Sequence, residues 1–335
     1  MKLSSTLSFK DAKTRRQYWW ILAGILLLSG IVTVLLLTHD VPVALDSPSY
    51  KPVMLRRAHT VLGMLVLALC QGTATMAFQT ITQNRIITPS LLGFEALHGA
   101  LHTSLIYFFG TNALLNFTGA AAFFTELLLM TIFCVVIYGW LINRATHRLD
   151  YILLIGLMMG TGLQSMASFM RRMLAPSEFD VLQSRLYGSL SLVKADSLKL
   201  ALPCVLIILV VLFGFSRRLN VLSLGRAMAI SLGVSYRRNL FILLVLVSLL
   251  MSISTSLVGP FKFFSFLTAS LVYRLTDTYD QKYLLVLAMS LGYLIIATAY
   301  FLMTHIFQSA GTVSVIIELF GGIFFLYLLV RRRNI

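Results

Sequence analysis

The sequence predicts an all-α integral membrane protein of about ten transmembrane helices, with both termini on the cytoplasmic side. Three observations carry that prediction. Of 335 residues, 58% are hydrophobic and only 12% are charged, about half the charged fraction of an ordinary soluble domain. Apolar runs long enough to cross a hydrocarbon core as helix recur from end to end. The basic residues behind the formal charge of +15 fall between those runs, a placement that fits orientation in a membrane better than nucleic-acid binding.

The predicted spans are 18–38, 59–80, 91–110, 118–141, 151–170, 200–215, 239–257, 263–275, 283–304 and 312–330. Basic residues precede the first, and no small-residue cleavage site follows it, so it reads as a retained helix rather than a signal peptide. The eighth is too short for a full crossing and follows Gly259-Pro260, which disrupts the end of the helix before it. A broken or re-entrant segment is expected there. With the N-terminus inside, 18 of the 27 Lys and Arg face the cytoplasm, as the positive-inside bias requires.

Cys70, Cys134 and Cys204 lie inside apolar stretches without CxxC spacing and read as buried, reduced packing residues. No hydrophilic stretch is long enough for a separate soluble domain, so residues 1–335 form a single transmembrane domain. The chain has no GxxxxGK[ST] phosphate loop, which leaves any ATP hydrolysis to another polypeptide. Neither an HExxH motif nor a convincing nucleophile–base spacing supports an intramembrane enzyme.

Four motifs, in order, carry a resemblance. Residues 78–93, FQTITQNRIITPSLLG, match a Q-x-x-x-x-N-P-L-A-x-P-x-x-L-G pattern at Gln79, Asn84, Pro89, Leu92 and Gly93. Residues 222–234, LSLGRAMAISLGV, match L-S-L-G-x-x-x-A-x-x-L-G at Leu222, Ser223, Leu224, Gly225, Ala229, Leu232 and Gly233. Val258-Gly259-Pro260-Phe261 is similar to an A-G-P-I element, and residues 321–329 provide a fourth match before the terminal arginines. Together they resemble the FecCD-type permeases of ATP-driven importers.

That resemblance implies a ten-helix bundle like the cobalamin-importer permease, in a bacterial cytoplasmic (inner) membrane. It also implies a second permease subunit, two copies of an ATP-binding subunit, and a periplasmic or lipid-anchored siderophore-binding protein. No catalytic residue and no cofactor are expected. The departures, Arg85-Ile86-Ile87-Thr88 for P-L-A-x and the missing proline and histidine before Arg274, resemble the second permease of heteromeric importers of catecholate-type iron–siderophore complexes. A heterodimer is therefore expected.

Within the chain, the resemblance makes the cytoplasmic stretch 216–238 the ATPase-coupling segment, with a compact helix over 222–230 that docks in a groove of the ATPase. Read from its charges alone, the stretch is a polar connection held to anionic lipid by its arginines. Arg56, Arg57, Arg171 and Arg172 lie on the external side, which the charge bias should deplete, and suit bidentate pairing with carboxylates of a binding protein. Arg57 aligns with the first position of the family's R-x-x-R docking motif, Thr60 with the second. The bland alternative is snorkelling to lipid phosphates.

Candidates for the translocation path are Gln79, Asn84, Glu95, the small-xxx-small pair Gly156 and Gly160, and Gly188 and Ser189 at the end of a short external helix. Glu95, His98 and His102 share one helical face, but cargo iron would travel chelated, so a pairing or pore-lining role is favoured over a metal site. Glu95, Glu126, Glu318 and His305 are also the relay residues that a rival reading, an ion-coupled secondary transporter, would use.

Overall fold

The computed structural model describes residues 8–39, 48–144, 149–186, 190, 193, 195–307 and 312–332. Helices make up nearly all of it, and no strand occurs among the described residues. They are α1 (Ala12–Thr38), α2 (Tyr50–Thr82), α3 (Phe94–Asn116), α4 (Gly119–Arg144), α5 (Leu149–Arg172), α6 (Pro176–Leu186), α7 (Ala195–Gly214), α8 (Ser216–Leu222), α9 (Arg226–Ser231), α10 (Tyr236–Val258), α11 (Phe264–Leu275), α12 (Gln281–Phe301) and α13 (Val313–Arg332). Six of them, α1, α2, α4, α7, α10 and α12, are long and apolar enough to cross a membrane among the described residues.

Hydrophobic surface alone cannot order helices in lipid, so close backbone approach and polar contacts decide the packing. The central position goes to α2, which packs on α10, α12, α11 and α7. Small residues make this possible: a Cβ on Gly72 would stand 2.9 Å from the Ala288 carbonyl oxygen of α12. By contrast, α1 lies outermost, with Leu26, Leu27, Ile31 and Val34 exposed along its length, and holds on to α12.

The helix breaks fall where the sequence changes backbone chemistry. After α2, Gln83 takes a left-handed conformation (φ 51°), and the chain then makes a 3₁₀ turn, Pro89–Leu92. Gly93 (φ 91°) opens α3. The expected third span therefore begins at Phe94 and runs past 110 to Asn116, bending at Gly110 (φ 78°). Between α10 and α11 the chain turns at Gly259 (φ 88°), and α11 has only 12 residues, as the short eighth span anticipates.

Candidate functional site

The stretch 216–238 forms two helices rather than one over 222–230. Gly225 separates them with φ 93° and ψ 168°, a combination that only glycine adopts without strain, and Gly233 (φ 78°) ends the second. Leu222 and Ala229 are buried and fasten the segment to the bundle, while Leu224, Met228, Ile230 and Leu232 are more than half exposed. The outcome is an apolar stripe raised on a firm base. Gln83 donates from Nε2 to the Ser223 carbonyl at 3.2 Å. Asn220 donates to Asp280 Oδ1 at 3.0 Å and accepts the Gln281 amide at 2.8 Å. Arg218 donates to Asn239 Oδ1 at 3.2 Å.

Asp280 is itself a junction. It caps α12 by accepting the Lys282 amide, and it accepts the Ser8 hydroxyl at 2.7 Å. Burial alone would raise its carboxyl, but hydrogen bonds from Asn220, Ser8 and Lys282 outweigh that and hold it below the usual carboxylate range.

At the opposite end of α2, Arg57 donates from Nη1 to the carbonyls of Leu36 and His39 at 3.1 and 2.8 Å. The side chain thereby satisfies carbonyls left over at the C-terminus of α1. Arg56 is exposed on the adjoining surface. Arg171 reaches back along α5 to the Ala167 carbonyl at 3.3 Å, and Arg172 is exposed. Thus the four arginines are not equivalent.

Gln79 donates to the Arg85 carbonyl at 2.8 Å, and Asn84 accepts the Ile86 amide at 3.0 Å. Both therefore shape the turn after α2, while Gln79 Oε1 stays buried without a hydrogen-bond partner among the described residues. Arg85 itself lies over the Tyr273 ring, 4.5 Å from its centre, which ties that turn to α11. Gly156 and Gly160 of α5 meet the start of α3: a Cβ on Gly160 would be 3.2 Å from Gly93 Cα. Gly188 and Ser189 lie outside the described residues.

The structure separates Glu95 from the histidines that share its helical face. Glu95 is buried near Ser90, Phe261 and Lys262. His98 and His102 instead meet Glu126 of α4: His98 Nδ1 is hydrogen-bonded to Glu126 Oε1, and His102 Nε2 lies 3.3 Å from the same oxygen. All three are buried.

Sequence reasoning also missed Gln71. From the middle of α2 it donates to Ser254 of α10 at 3.0 Å and accepts from Ser265 of α11 at 2.7 Å, bridging the two sides of the Gly259 break. An amide side chain in an otherwise apolar run was the available signal.

Comparisons with known proteins address the family and the fold. The FecCD transport family model matches residues 20–331. The chain is 46% identical over 329 residues to the petrobactin import system permease protein FatC of Bacillus anthracis, covering 98% of this chain and 93% of that one. It is 35% identical over 261 residues to the petrobactin import system permease protein YclO of Bacillus subtilis (strain 168), covering 78% and 83% respectively. Among solved structures, an inward-facing ABC transporter assigned to the metal-chelate type superposes with a TM-score of 0.77 at 20% identity, over 93% of this chain and 99% of the other, a likeness of fold. The chain belongs to the FecCD transport family.

Proposed function

We propose that the chain is a permease subunit of an ATP-driven importer that carries a ferric siderophore of the petrobactin class into the cytoplasm. The observation that carries the transport reading is the raised apolar stripe Leu224, Met228, Ile230 and Leu232, mounted on α8 and α9 and tied to α2 and α12 through Gln83 and Asn220. Such a stripe suits a groove on an ATP-binding subunit, and its ties give the ATPase a mechanical connection to the bundle. The substrate class rests on the petrobactin permeases it resembles.

The membrane bundle in this reading is α1 to α5, α7 and α10 to α13, ten helices of which the 12-residue α11 is the broken segment after Gly259-Pro260, with both termini inside and α6 on the external surface. The assembly comprises a second, different permease, two ATP-binding subunits and a siderophore-binding protein, in a bacterial cytoplasmic membrane. No covalent chemistry is required of the permease. ATP on one side and the loaded binding protein on the other bias a bundle between two arrangements.

Two measurements test this. The chain should co-purify with an ATP-binding subunit, which an ion-coupled transporter has no need to do. Cells lacking it should lose uptake of radiolabelled ferric petrobactin and regain it on complementation. Uptake that persists without the chain, or that runs on a proton gradient without ATP, would refute the reading.

A further inference from the structure

We propose that His98, His102 and Glu126 form an intramembrane binding site for a first-row divalent cation of the zinc class, held within this one subunit and distinct from any iron carried as cargo. His98 and His102 are one helical turn apart on α3, with ring centres 4.4 Å apart, so both imidazoles project the same way. Glu126 comes from α4 to face them. One ligand atom from each residue lies within 4.8 Å of the other two.

The spacing suits coordination. Zinc bonds of about 2.0–2.1 Å place tetrahedral ligand atoms about 3.3 Å apart, and His102 Nε2 and Glu126 Oε1 stand 3.3 Å apart. His98 Nδ1 is hydrogen-bonded to the same carboxylate oxygen, and that contact must open to about 3.3 Å when a cation takes the place of its proton. Two neutral imidazoles and a carboxylate, with no thiolate among the ligands, favour Zn²⁺ and its neighbours over soft cuprous ions.

Burial strengthens the case. The three residues are 3%, 8% and 5% exposed. A carboxylate so placed in a membrane needs a compensating charge, and a dication between the imidazoles supplies it. The cluster also opens onto a cavity lined by Thr118, Arg185, Ser197 and Thr255. That opening leaves a fourth coordination position for water or an anionic oxygen donor.

The site is exchangeable rather than permanent. The remaining ring nitrogens, His98 Nε2 and His102 Nδ1, have no hydrogen-bond partner among the described residues. Outer partners of that kind typically add about 10–100-fold to metal affinity, so a chelator should strip the ion readily. Because α3 and α4 each supply ligands, an occupied site would also cross-link them where the cavity meets the end of α10 at Gly259.

Tag-free full-length chain in nanodiscs, stripped with chelator, should bind one Co²⁺ per chain. Absorption and X-ray absorption spectra should show four- or five-coordinate cobalt with two imidazole nitrogens, and Zn²⁺ should displace it. His102→Gln and Glu126→Gln should each weaken binding at least tenfold while the protein stays monodisperse, and saturating Zn²⁺ should raise the wild-type thermal midpoint. Wild type binding Co²⁺ no more tightly than His98→Gln/His102→Gln would overturn the site. If those variants fail to fold, a wild-type cobalt spectrum without imidazole ligation, or a thermal midpoint that Zn²⁺ leaves unmoved, would overturn it equally. None of these readouts depends on the siderophore assignment.

Discussion

The Asn220 side chain donates to the Asp280 carboxylate at 3.0 Å, so the segment proposed to meet the ATPase is fastened to the first turn of α12. Asp280 also holds Ser8 and the Lys282 amide. Removing the side chain in Asp280→Ala should cost about 1 kcal/mol, the usual loss for a helix N-cap. The hydrogen bonds depress the carboxyl in the folded protein. Its stabilisation is therefore fully present above the unfolded pKa of about 3.9 and disappears as pH falls through the lower folded value. Thermal midpoints of wild type and Asp280→Asn should differ at pH 7, begin to close below about pH 4 and converge only once pH has fallen through the lower folded value. A gap that stays constant with pH would contradict this role.

Arg57 and Arg56 should part company on mutation. Arg57 donates to the α1 carbonyls of Leu36 and His39, and hydrogen bonds from a charged group are worth about 1.5–3 kcal/mol. Arg57→Ala should lower thermal stability accordingly. The exposed Arg56 is the better candidate for binding-protein docking. Arg56→Glu should weaken binding-protein affinity about tenfold or more, with a shallower salt dependence, and leave the thermal midpoint unchanged. Equal effects of both variants on stability, with affinity untouched, would favour contact with lipid phosphates for the pair.

The two glycines of the proposed coupling segment share a positive φ but differ in what an added side chain would meet. At Gly225 the backbone conformation itself is strained for any other residue, by about 1–3 kcal/mol, so Gly225→Ala should already distort the turn. At Gly233 the φ of 78° also costs any other residue about 1–2 kcal/mol, but no described atom lies within 4 Å of an added Cβ, so Gly233→Ala carries the backbone strain alone and Gly233→Trp adds bulk projecting from the proposed docking face. Binding-protein-stimulated ATP hydrolysis in liposomes should fall several-fold for Gly233→Trp at normal membrane insertion. Stimulation near the wild-type level would refute the coupling assignment.

Much of this architecture was legible in the sequence because lipid leaves few options: a run of apolar residues must satisfy its own backbone as helix. The short α11 after Gly259-Pro260 follows from the same reasoning. The helix expected over 222–230 splits at Gly225, whose positive φ sits against Gln83 at the end of α2, a tertiary neighbour that no local pattern reveals. The third span starts late for a similar reason, since Gly93 is shaped by its approach to α5. The proposed cation site was half legible. The His98–His102 spacing is local, but their carboxylate comes from α4 rather than from Glu95 on the same helical face, and only packing of α3 against α4 selects Glu126.

The close approach of Gly160 to Gly93 offers a controlled test of how α5 is held. A Cβ at Gly160 would lie 3.2 Å from Gly93 Cα, which is backbone and cannot swing aside. Gly93 cannot easily shift either, because its φ of 91° starts α3. Gly160→Leu should therefore push α5 off α3, with an overpacking cost of about 1–3 kcal/mol, and lower the thermal midpoint of the purified chain. Gly162, two residues along α5, has nothing among the described residues within 4 Å of an added Cβ. In the isolated chain Gly162→Leu should change stability by less than about 0.5 kcal/mol. In the assembled importer the comparison says more: exposed Met158, Met166 and Phe169 flank Gly162 on the same helical face. If that face meets the second permease, Gly162→Leu should reduce co-purification of the two permeases while leaving the isolated chain stable. If it meets lipid, pairing should be unaffected. Equal destabilisation of the isolated chain by both substitutions would show that the Gly93 contact does not hold α5 in place.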